Sequence, residues 1–174
     1  MSSREKDDFY PTPPSAVYPL LNIERFDGSV WEPACGDGAM ADAIKDYGYD
    51  VVSTDLVDRG YGKSGVDFLM EREALADNIM TNPPYKLAQE FIQHAIDLGV
   101  KKHVWLLRLA FLEGVKRFNE LYAYHPPARL YVFSKRQTMI RGDHDSAWYG
   151  SGKMAFMYAV WDKDHKGSTE LDWI

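Results

Sequence analysis

Cysteine is almost absent from this chain of 174 residues, since Cys35 is the only one. A single thiol excludes an internal disulfide and is typical of a reducing compartment. Long apolar runs are absent too, because no stretch approaches the about 20 apolar residues that cross a bilayer. Residues 1–8 are polar and lack the apolar segment of a secretion signal, so we expect them to be flexible. These absences predict a soluble cytoplasmic protein without a membrane partner.

A hydrophobic content of 45% predicts one domain over residues 1–174 with a core of its own. The net charge of −6 argues against a nucleic-acid partner, but the distribution of that charge argues for one. Residues 99–141 contain nine Lys or Arg residues and only two acidic ones. This asymmetry is typical of a surface that faces a polyanion. The alternative, solvated helix faces that happen to be basic, stays open at this point.

Strand-like and helix-like patterns alternate along the chain. Apolar periodicity predicts helices at residues 17–26, 39–47, 71–77, 87–98 and 114–124. Strands are predicted at residues 29–32, 50–54, 65–68, 78–81, 103–109, 130–133 and 154–161. This alternation indicates an α/β, Rossmann-like fold: a seven-stranded, mostly parallel sheet with helices on both faces and an antiparallel final strand pair. Ligands bind beyond the carboxyl ends of such strands, where the motifs of this chain fall.

The tetrapeptide Asn82-Pro83-Pro84-Tyr85 follows the fourth predicted strand and is the most informative motif. An exocyclic amine is a poor nucleophile because its lone pair is delocalised into the attached π system. The Asn82 side-chain oxygen and the Pro83 carbonyl can each accept a hydrogen bond from such an amine, which directs its lone pair toward an electrophile. Tyr85 offers a flat face for a planar group. The alternative is an ordinary turn, since Asn-Pro commonly starts turns.

Glycines and carboxylates at the ends of the earlier predicted strands indicate a nucleoside cofactor. Gly36 and Gly38 lie in the loop after the first strand, where the chain turns tightly and a ligand approaches the backbone. Asp55 follows the second strand and can accept hydrogen bonds from both ribose hydroxyls. Asp67 can accept from an adenine amine, and the N–H of Phe68 can donate to the adenine ring.

The charges around the glycine loop narrow the choice of cofactor. Glu32 and Asp37 flank this loop, so it would repel a pyrophosphate but suit an ammonium and a sulfonium. We predict no metal site, because the one His with Asp on both sides, His144, lacks the ligand spacing of a zinc site. Cys35 is expected to pack within the loop rather than to act as a nucleophile.

The connection over residues 134–153 is unusually long and combines basic with aromatic residues. Loops of this length are uncommon unless they are functional or disordered, and this composition suits an extruded or single-stranded base. A hairpin loop with incidental aromatic residues is the alternative. The predicted substrate-binding residues are Lys135, Arg136, Arg141, Trp148 and Tyr149.

Together these segments resemble the ordered motifs of class I S-adenosylmethionine-dependent amino-methyltransferases. In chain order they are Thr12-Pro13-Pro14, the loop from Glu32 to Gly38, Asp55, Asp67-Phe68 and Asn82-Pro83-Pro84-Tyr85. This order is similar to that of one permutation class of DNA adenine-N6 methyltransferases. The tract from Leu106 to Glu113, with Arg117 after it, resembles small phage-borne members. The resemblance covers residues 9–161.

The resemblance implies S-adenosylmethionine as cofactor and an exocyclic amine, foremost adenine N6 in DNA, as acceptor. It implies that Thr12 and the loop backbone hold the methionine end of the cofactor, Asp55 the ribose and Asp67 the adenine. The implied cofactor-binding residues are Thr12, Glu32, Pro33, Ala34, Gly36, Gly38, Asp55, Asp67, Phe68 and Asn82. The implied catalytic residues are Asn82, Pro83, Pro84 and Tyr85.

Several alternatives stay open. The same tetrapeptide occurs in enzymes that methylate a glutamine amide in release factors, and in some that methylate ribosomal RNA bases. A non-catalytic nucleic-acid-binding protein that keeps the fold is another alternative, and a nicotinamide oxidoreductase would leave the motif without a role. The chain also departs from sequence-specific DNA enzymes, since little of it remains for a separate recognition region. Either specificity is short or loose, or a second subunit contributes, as in a homo-oligomer, or the substrate is not duplex DNA.

Overall fold

The computed structural model describes residues 9–137 and 154–174, and the strands within these ranges form one sheet. The strands are β1 Val30–Glu32, β2 Val51–Ser53, β3 Asn78–Thr81, β4 Lys102–Arg108, β5 Arg129–Val132, β6 Phe156–Asp162 and β7 Glu170–Trp173. Their order across the sheet is β2-β1-β3-β4-β6-β5-β7. Strand β6 is antiparallel to both of its neighbours, and the other neighbouring pairs are parallel.

Helices pack on both faces of this sheet. They are α1 Pro14–Leu21, α2 Ala39–Asp46, α3 Ala88–Asp97 and α4 Val115–Arg117, which continues as a π-helix over Phe118–Tyr122. Helices α1 and α2 contribute to one buried cluster and α3 to the other, while alternate residues of β4 point into each: Val104 and Leu106 into the first, Trp105 and Leu107 into the second. The predicted Rossmann-like, mostly parallel seven-stranded sheet is therefore confirmed. No helix in the described ranges is long and apolar enough to cross a bilayer.

Two predicted elements are wrong. Residues 65–68 form no strand, because Gly65 has a left-handed φ of 74° and Asp67 caps a 3₁₀ turn. The Asp67 Oδ1 atom accepts a hydrogen bond from the N–H of Leu69 at 3.0 Å. Residues 71–77 form no helix. The sheet reaches seven strands through β7, which was not predicted. This strand pairs with β5 at the end of the sheet opposite β2 and alternates polar with apolar residues.

Two predicted helices differ from the structure in their bounds or regularity. Helix α1 begins at Pro14 rather than at residue 17, since a proline near the helix start has its φ already set and no N–H to satisfy. The predicted helix over 114–124 begins as one α-helical turn and then widens into the π-helix. The predicted antiparallel pair is formed by β5 and β6, although β7 follows them in the chain.

A buried ionic cluster closes the amino edge of the sheet. Glu24, which follows α1, accepts hydrogen bonds from Lys102 Nζ and Arg129 Nε, each at 2.8 Å. Asp162 lies 2.8 Å from Arg129 and 3.4 Å from Lys102. The two cations and two carboxylates offset the cost of one another's burial. Removal of one member would leave an uncompensated buried charge, which destabilises the fold. This cluster ties α1 to β4, β5 and β6.

The basic stretch over residues 99–141 is divided between the two edges of the sheet. Lys102 and Arg129 belong to the ionic cluster, and Lys101 pairs with Asp164 at 2.8 Å. Three of the nine cations of this stretch therefore form intramolecular pairs at the amino edge. The surface at the carboxyl edge therefore carries fewer unpaired cations than the count of nine Lys and Arg in residues 99–141 suggests.

Candidate active site

A cavity of about 400 Å³ opens at the carboxyl edge of the sheet, between the segments that follow β1, β2 and β3. Its volume lies in the range of about 300–1,000 Å³ that is typical of small-ligand sites. The predicted site residues that line it are Thr12, Glu32, Pro33, Ala34, Asp55, Asp67, Phe68, Asn82 and Pro84. Four others, Gly36, Gly38, Pro83 and Tyr85, are not part of its lining.

The side-chain amide of Asn82 is held in one orientation. Its Nδ2 donates to the carbonyl of Tyr10 and to Oγ1 of Thr12, each at 3.1 Å. Because a carbonyl only accepts, the nitrogen and not the oxygen of the amide must face Tyr10. The Oδ1 atom is left buried and without a hydrogen-bond partner among the described residues, in a side chain that lines the cavity. Buried polar atoms are rarely left unpaired, so this oxygen is available to a ligand donor.

The ring of Tyr85 is packed among other side chains beside the cavity. The guanidinium of Arg108 lies over it, with Cζ 4.4 Å from the ring centroid. The rings of Tyr10 and Phe156 lie 5.7 and 6.2 Å from it, centroid to centroid. A planar acceptor therefore meets a ring that already has a cation on it. Stacking of Tyr85 on a base stays a prediction.

The glycine loop turns tightly, as predicted, but its glycines make room for protein side chains rather than for the cavity. Gly36 and Gly38 have φ values of 56° and 88°, which favour glycine. A Cβ atom on Gly36 would overlap the ring of Phe9, and one on Gly38 would overlap the ring of Tyr61. Contact between a ligand and the backbone of these two glycines stays a prediction. The two aromatic rings close over the loop instead.

Asp55 joins the glycine loop to the segment after β2. Its Oδ2 accepts from the N–H of Gly36 at 2.8 Å, and its Oδ1 accepts from the N–H of Val57 at 2.8 Å. Arg59 pairs with Oδ1 at 3.2 Å and lies over the ring of Phe9, 4.4 Å from its centroid. A carboxylate offers about four acceptor sites, so one remains for a ligand hydroxyl. Asp55 thus has a structural role besides the predicted one.

Glu32 places a buried carboxyl at the end of β1. The residue is 2% exposed, and its Oε2 has no hydrogen-bond partner in the described chain. Burial raises the pKa of this carboxyl well above its usual range, and the negative charges of Asp55 and Asp37 raise it further. An ammonium group brought against Glu32 would relieve both effects, since an opposite charge favours the ionised form. The next loop residue, Cys35, has its pKa raised to about 12 by burial, which keeps it an unreactive thiol.

Asp67 and Phe68 reach the cavity from a turn instead of from a strand end. Asp67 lines the cavity while its carboxylate caps the turn. The Phe68 ring is 1% exposed and packs edge-on against Trp31 at 5.1 Å and His94 at 5.0 Å, centroid to centroid. Phe68 is therefore a core residue, and donation from its N–H to an adenine ring stays a prediction.

The predicted substrate residues are only partly described. Lys135 and Arg136 are exposed beyond the end of β5. Arg141, Trp148 and Tyr149 lie outside the described residues. The described ends of the 134–153 connection reach the carboxyl edge, because β5 ends there and β6 begins opposite Arg108. Within the described ranges, no group of three or more His, Cys, Asp or Glu residues is placed to hold a metal ion.

The sequence analysis missed several residues of the site. Phe9 and Tyr10, directly before the Thr12 motif, cover the loop and orient Asn82. Arg59 and Lys86 line the cavity, and Arg108 covers Tyr85. The sequence did carry a signal for Phe9 and Tyr10. These two aromatic residues follow the polar residues 1–8 and lie close to the Thr12 motif. Arg59 and Lys86 gave no signal, because cations are common on any surface, and Arg108 lies in the tract from Leu106 to Glu113 without having been predicted as a site residue.

No protein-family model matches this chain, and neither does any curated protein sequence. Solved structures do match. The modification subunit of a proposed type I restriction enzyme from Vibrio vulnificus superimposes with a TM-score of 0.60 at 14% identity, over 98% of this chain and 48% of that one. A proposed RNA methyltransferase from Pyrococcus horikoshii gives 0.62 at 14% identity, over 88% and 87%. A protein from Thermoplasma acidophilum gives 0.55 at 16% identity, over 84% and 86%.

These likenesses show the fold of this chain. It shares its Rossmann-like fold with these structures, and it spans about half the length of the Vibrio vulnificus subunit. Fold similarity at such low identity does not identify a reaction or a substrate. The function is therefore argued from the site.

Proposed function

We propose that this chain transfers a methyl group from S-adenosylmethionine to an exocyclic amine, with adenine N6 in DNA as the acceptor. The observation that carries the proposal is the Asn82 amide, whose nitrogen is held by Tyr10 and Thr12 while its buried oxygen lacks a partner. That oxygen belongs to a side chain that lines the cavity at the end of β3, where an acceptor amine and a cofactor would meet. The single buried thiol, Cys35, is consistent with a cytoplasmic enzyme.

The cavity fits S-adenosylmethionine in charge and in hydrogen-bonding groups. Its lining includes the carboxyl groups of Glu32, Asp55 and Asp67, spread along the edge from β1 to the turn after β2. Glu32, with an unpartnered oxygen, suits the ammonium group of the methionine end. Asp55 keeps one acceptor site for the ribose, and Asp67 lies at the position proposed for the adenine. Lys86 and Arg59 line the same cavity and offer positive charge to the cofactor carboxylate.

The residues of the tetrapeptide act on the acceptor amine. The cofactor, when bound, supplies a methyl group on a positively charged sulfur. Asn82 Oδ1 and the Pro83 carbonyl accept the two N–H groups of the amine, so its lone pair points away from the ring and toward that methyl. Because the Asn82 amide is held by Tyr10 and Thr12 before the acceptor binds, its oxygen would need no reorganisation during the reaction. No strong base is required, since the proton leaves after the N–C bond has formed.

Nucleic acid is the acceptor class that the cations of the carboxyl edge favour. Lys86 lines the cavity, Arg108 covers Tyr85, and the exposed Lys135 and Arg136 follow β5. Backbone phosphates are the anions that such a surface would contact. DNA is proposed over RNA from the resemblance to phage-borne adenine-N6 methyltransferases. Target recognition would then fall to the 134–153 connection or to a second copy of the chain.

The direct test is a transfer assay with methyl-labelled S-adenosylmethionine. The acceptors are duplex DNA, single-stranded DNA, RNA and a glutamine-containing peptide, each digested afterwards to identify the labelled unit. We expect label in N6-methyladenine from DNA, and none with Asn82→Ala. Asn119→Ala, an exposed residue of the π-helix, is the matched control and should keep full activity. Label in RNA bases or in glutamine would contradict the acceptor, and failure to bind S-adenosylmethionine would contradict the reaction.

A further inference from the structure

Arg108 is a cation placed against the tetrapeptide motif. It is the last residue of β4, the strand next to β3, and it therefore ends at the carboxyl edge where Asn82 begins. Its Cζ atom lies 4.4 Å from the centroid of the Tyr85 ring. Phe156, its partner across β6, lies 6.2 Å from the same ring. The guanidinium is thus held in place by an aromatic face at the site of reaction.

The charge of Arg108 is not balanced within the described chain. Its Nε atom is buried and has no hydrogen-bond partner there, and no described carboxylate lies within 4.0 Å of its guanidinium. Lys102 and Arg129, two other cations of the sheet, do have carboxylate partners, since both pair with Glu24 and Asp162. The fold therefore pairs these two cations at the amino edge with carboxylates, whereas the half-buried Arg108 at the carboxyl edge has none within 4.0 Å among the described residues. A buried donor without an acceptor costs folding free energy, which a ligand anion would recover.

The missing anion does not belong to the cofactor. Arg108 is not part of the cavity lining, whereas Lys86 and Arg59 are. A cofactor carboxylate within the cavity meets those two cations first. Arg108 lies instead beside Tyr85, where the acceptor approaches Asn82. An anion that reaches Arg108 therefore comes with the acceptor.

We propose that Arg108 is a positioning residue that binds a backbone phosphate of the acceptor strand beside the nucleotide whose base enters the site. This inference rests on the proposed function and makes nucleic acid the acceptor class. Arginine suits the role because its planar fork donates two parallel hydrogen bonds to a phosphate. The contact with Tyr85 keeps the guanidinium oriented before the strand arrives. Fixing one phosphate sets the position of the adjacent base relative to Asn82.

The test compares Arg108→Gln and Arg108→Lys with Lys101→Gln, which removes a cation at the amino end beside the same strand. Binding to mixed-sequence duplex DNA and to a single-stranded oligonucleotide is measured by fluorescence anisotropy over a range of salt concentrations. We expect Arg108→Gln to weaken binding about tenfold and to flatten the slope of log K against log salt by about 0.9 for the duplex, or about 0.7 for the single strand. Arg108→Lys should keep the slope with weaker binding, and Lys101→Gln should change neither.

Kinetics and calorimetry complete the test. With DNA as acceptor, Arg108→Gln should raise KM for DNA by about tenfold while kcat at saturation changes much less. Affinity for S-adenosylhomocysteine should stay at the wild-type value. Unchanged affinity would exclude a general loss of structure as the cause of weaker DNA binding. An unchanged salt slope and KM would overturn the inference, as would an effect confined to cofactor affinity or to particular base sequences. If the wild type transfers no methyl group, the proposed function fails, whereas the salt slope still tests Arg108.

Discussion

The side-chain nitrogen of Asn82 and the hydroxyl of Thr12 lie 3.1 Å apart, although 70 residues separate them in the chain. The segment before α1 therefore orients the amide that follows β3. This contact gives the Thr-Pro element ahead of the glycine loop a structural link to the tetrapeptide after β3. In the proposed function, the position of these first described residues would therefore affect catalysis.

Removal of the Asn82 side chain should abolish the chemical step. We expect Asn82→Ala to lower kcat by about 10²–10³-fold, the range for loss of one preorganised hydrogen-bonding group. Affinity for S-adenosylhomocysteine should stay within a few-fold of wild type, because the role proposed for Asn82 is contact with the acceptor amine. Single-turnover kinetics and calorimetry measure the two quantities separately. A variant with near wild-type kcat would show that the motif is structural.

Thr12 should act on the same step through Asn82. Thr12→Val keeps the shape of the side chain but removes the oxygen that receives the amide N–H. We expect a loss of about 0.5–1.5 kcal/mol of transition-state stabilisation, since Tyr10 still holds the amide by its carbonyl. The double variant with Asn82→Ala should be no worse than Asn82→Ala alone. Additive losses in kcat would mean that Thr12 acts independently of the amide.

Cofactor binding should release a proton from Glu32. Burial raises the pKa of this carboxyl, so the free protein holds this proton more tightly than an ordinary carboxyl does, and a bound ammonium lowers the pKa again because it favours the ionised form. Calorimetry of S-adenosylhomocysteine in buffers of different ionisation enthalpy should show proton release, and affinity should increase with pH up to the raised pKa. Glu32→Gln should abolish the release, whereas Glu73→Gln, at an exposed position, should not.

A ligand without the amino-acid end is the control for the measurement of proton release from Glu32. 5′-Methylthioadenosine carries the adenosine part but no ammonium group, so its binding should not lower the pKa of Glu32. Equal proton release with both ligands would show that another group titrates. Absence of release with S-adenosylhomocysteine would show that Glu32 does not meet the ammonium.

The ionic cluster at the amino edge should make stability depend on acid pH. Lys102 and Arg129 donate to Glu24 and lower its pKa against the opposing effect of burial. A folded-state pKa below the unfolded value stabilises the protein above the unfolded pKa, and this stabilisation is lost as pH falls through the folded value. Glu24→Gln should lower the free energy of unfolding by about 3 kcal/mol at neutral pH, measured by urea titration. The difference from wild type should shrink in acid, and the exposed control Glu170→Gln should show neither effect.

Local patterns predicted most of the sheet. The strands β1, β3 and β4 begin and end within one residue of their predicted bounds, because buried strands carry continuous apolar runs that need no knowledge of their neighbours. The error at residues 65–68 has a local cause that was visible, since Gly65 takes a left-handed φ that ends extended structure. The missed strand β7 is an exposed edge strand, whose short polar–apolar alternation is a weak signal.

The candidate site was predicted as far as its residues follow strand ends. Nine of the predicted residues line one cavity, because the carboxyl ends of parallel strands meet at one edge of the sheet. Gly36 and Gly38 show the limit of that reasoning. Their positive φ is local and could be anticipated, whereas the rings of Phe9 and Tyr61 that fill the space beside them come from distant segments.

The sequence by itself determined the Rossmann-like class and the order of the motifs, because these depend on residue type and on spacing along the chain, whereas the chemistry of the Asn82 tetrapeptide stays a prediction. Only the tertiary structure decided which way the Asn82 amide faces, which cation covers Tyr85 and which carboxylates balance Lys102 and Arg129. Each of these is a contact of a few ångströms between residues far apart in sequence. Hydrogen bonds and ion pairs require such distances, and periodicity along a chain carries no information about them.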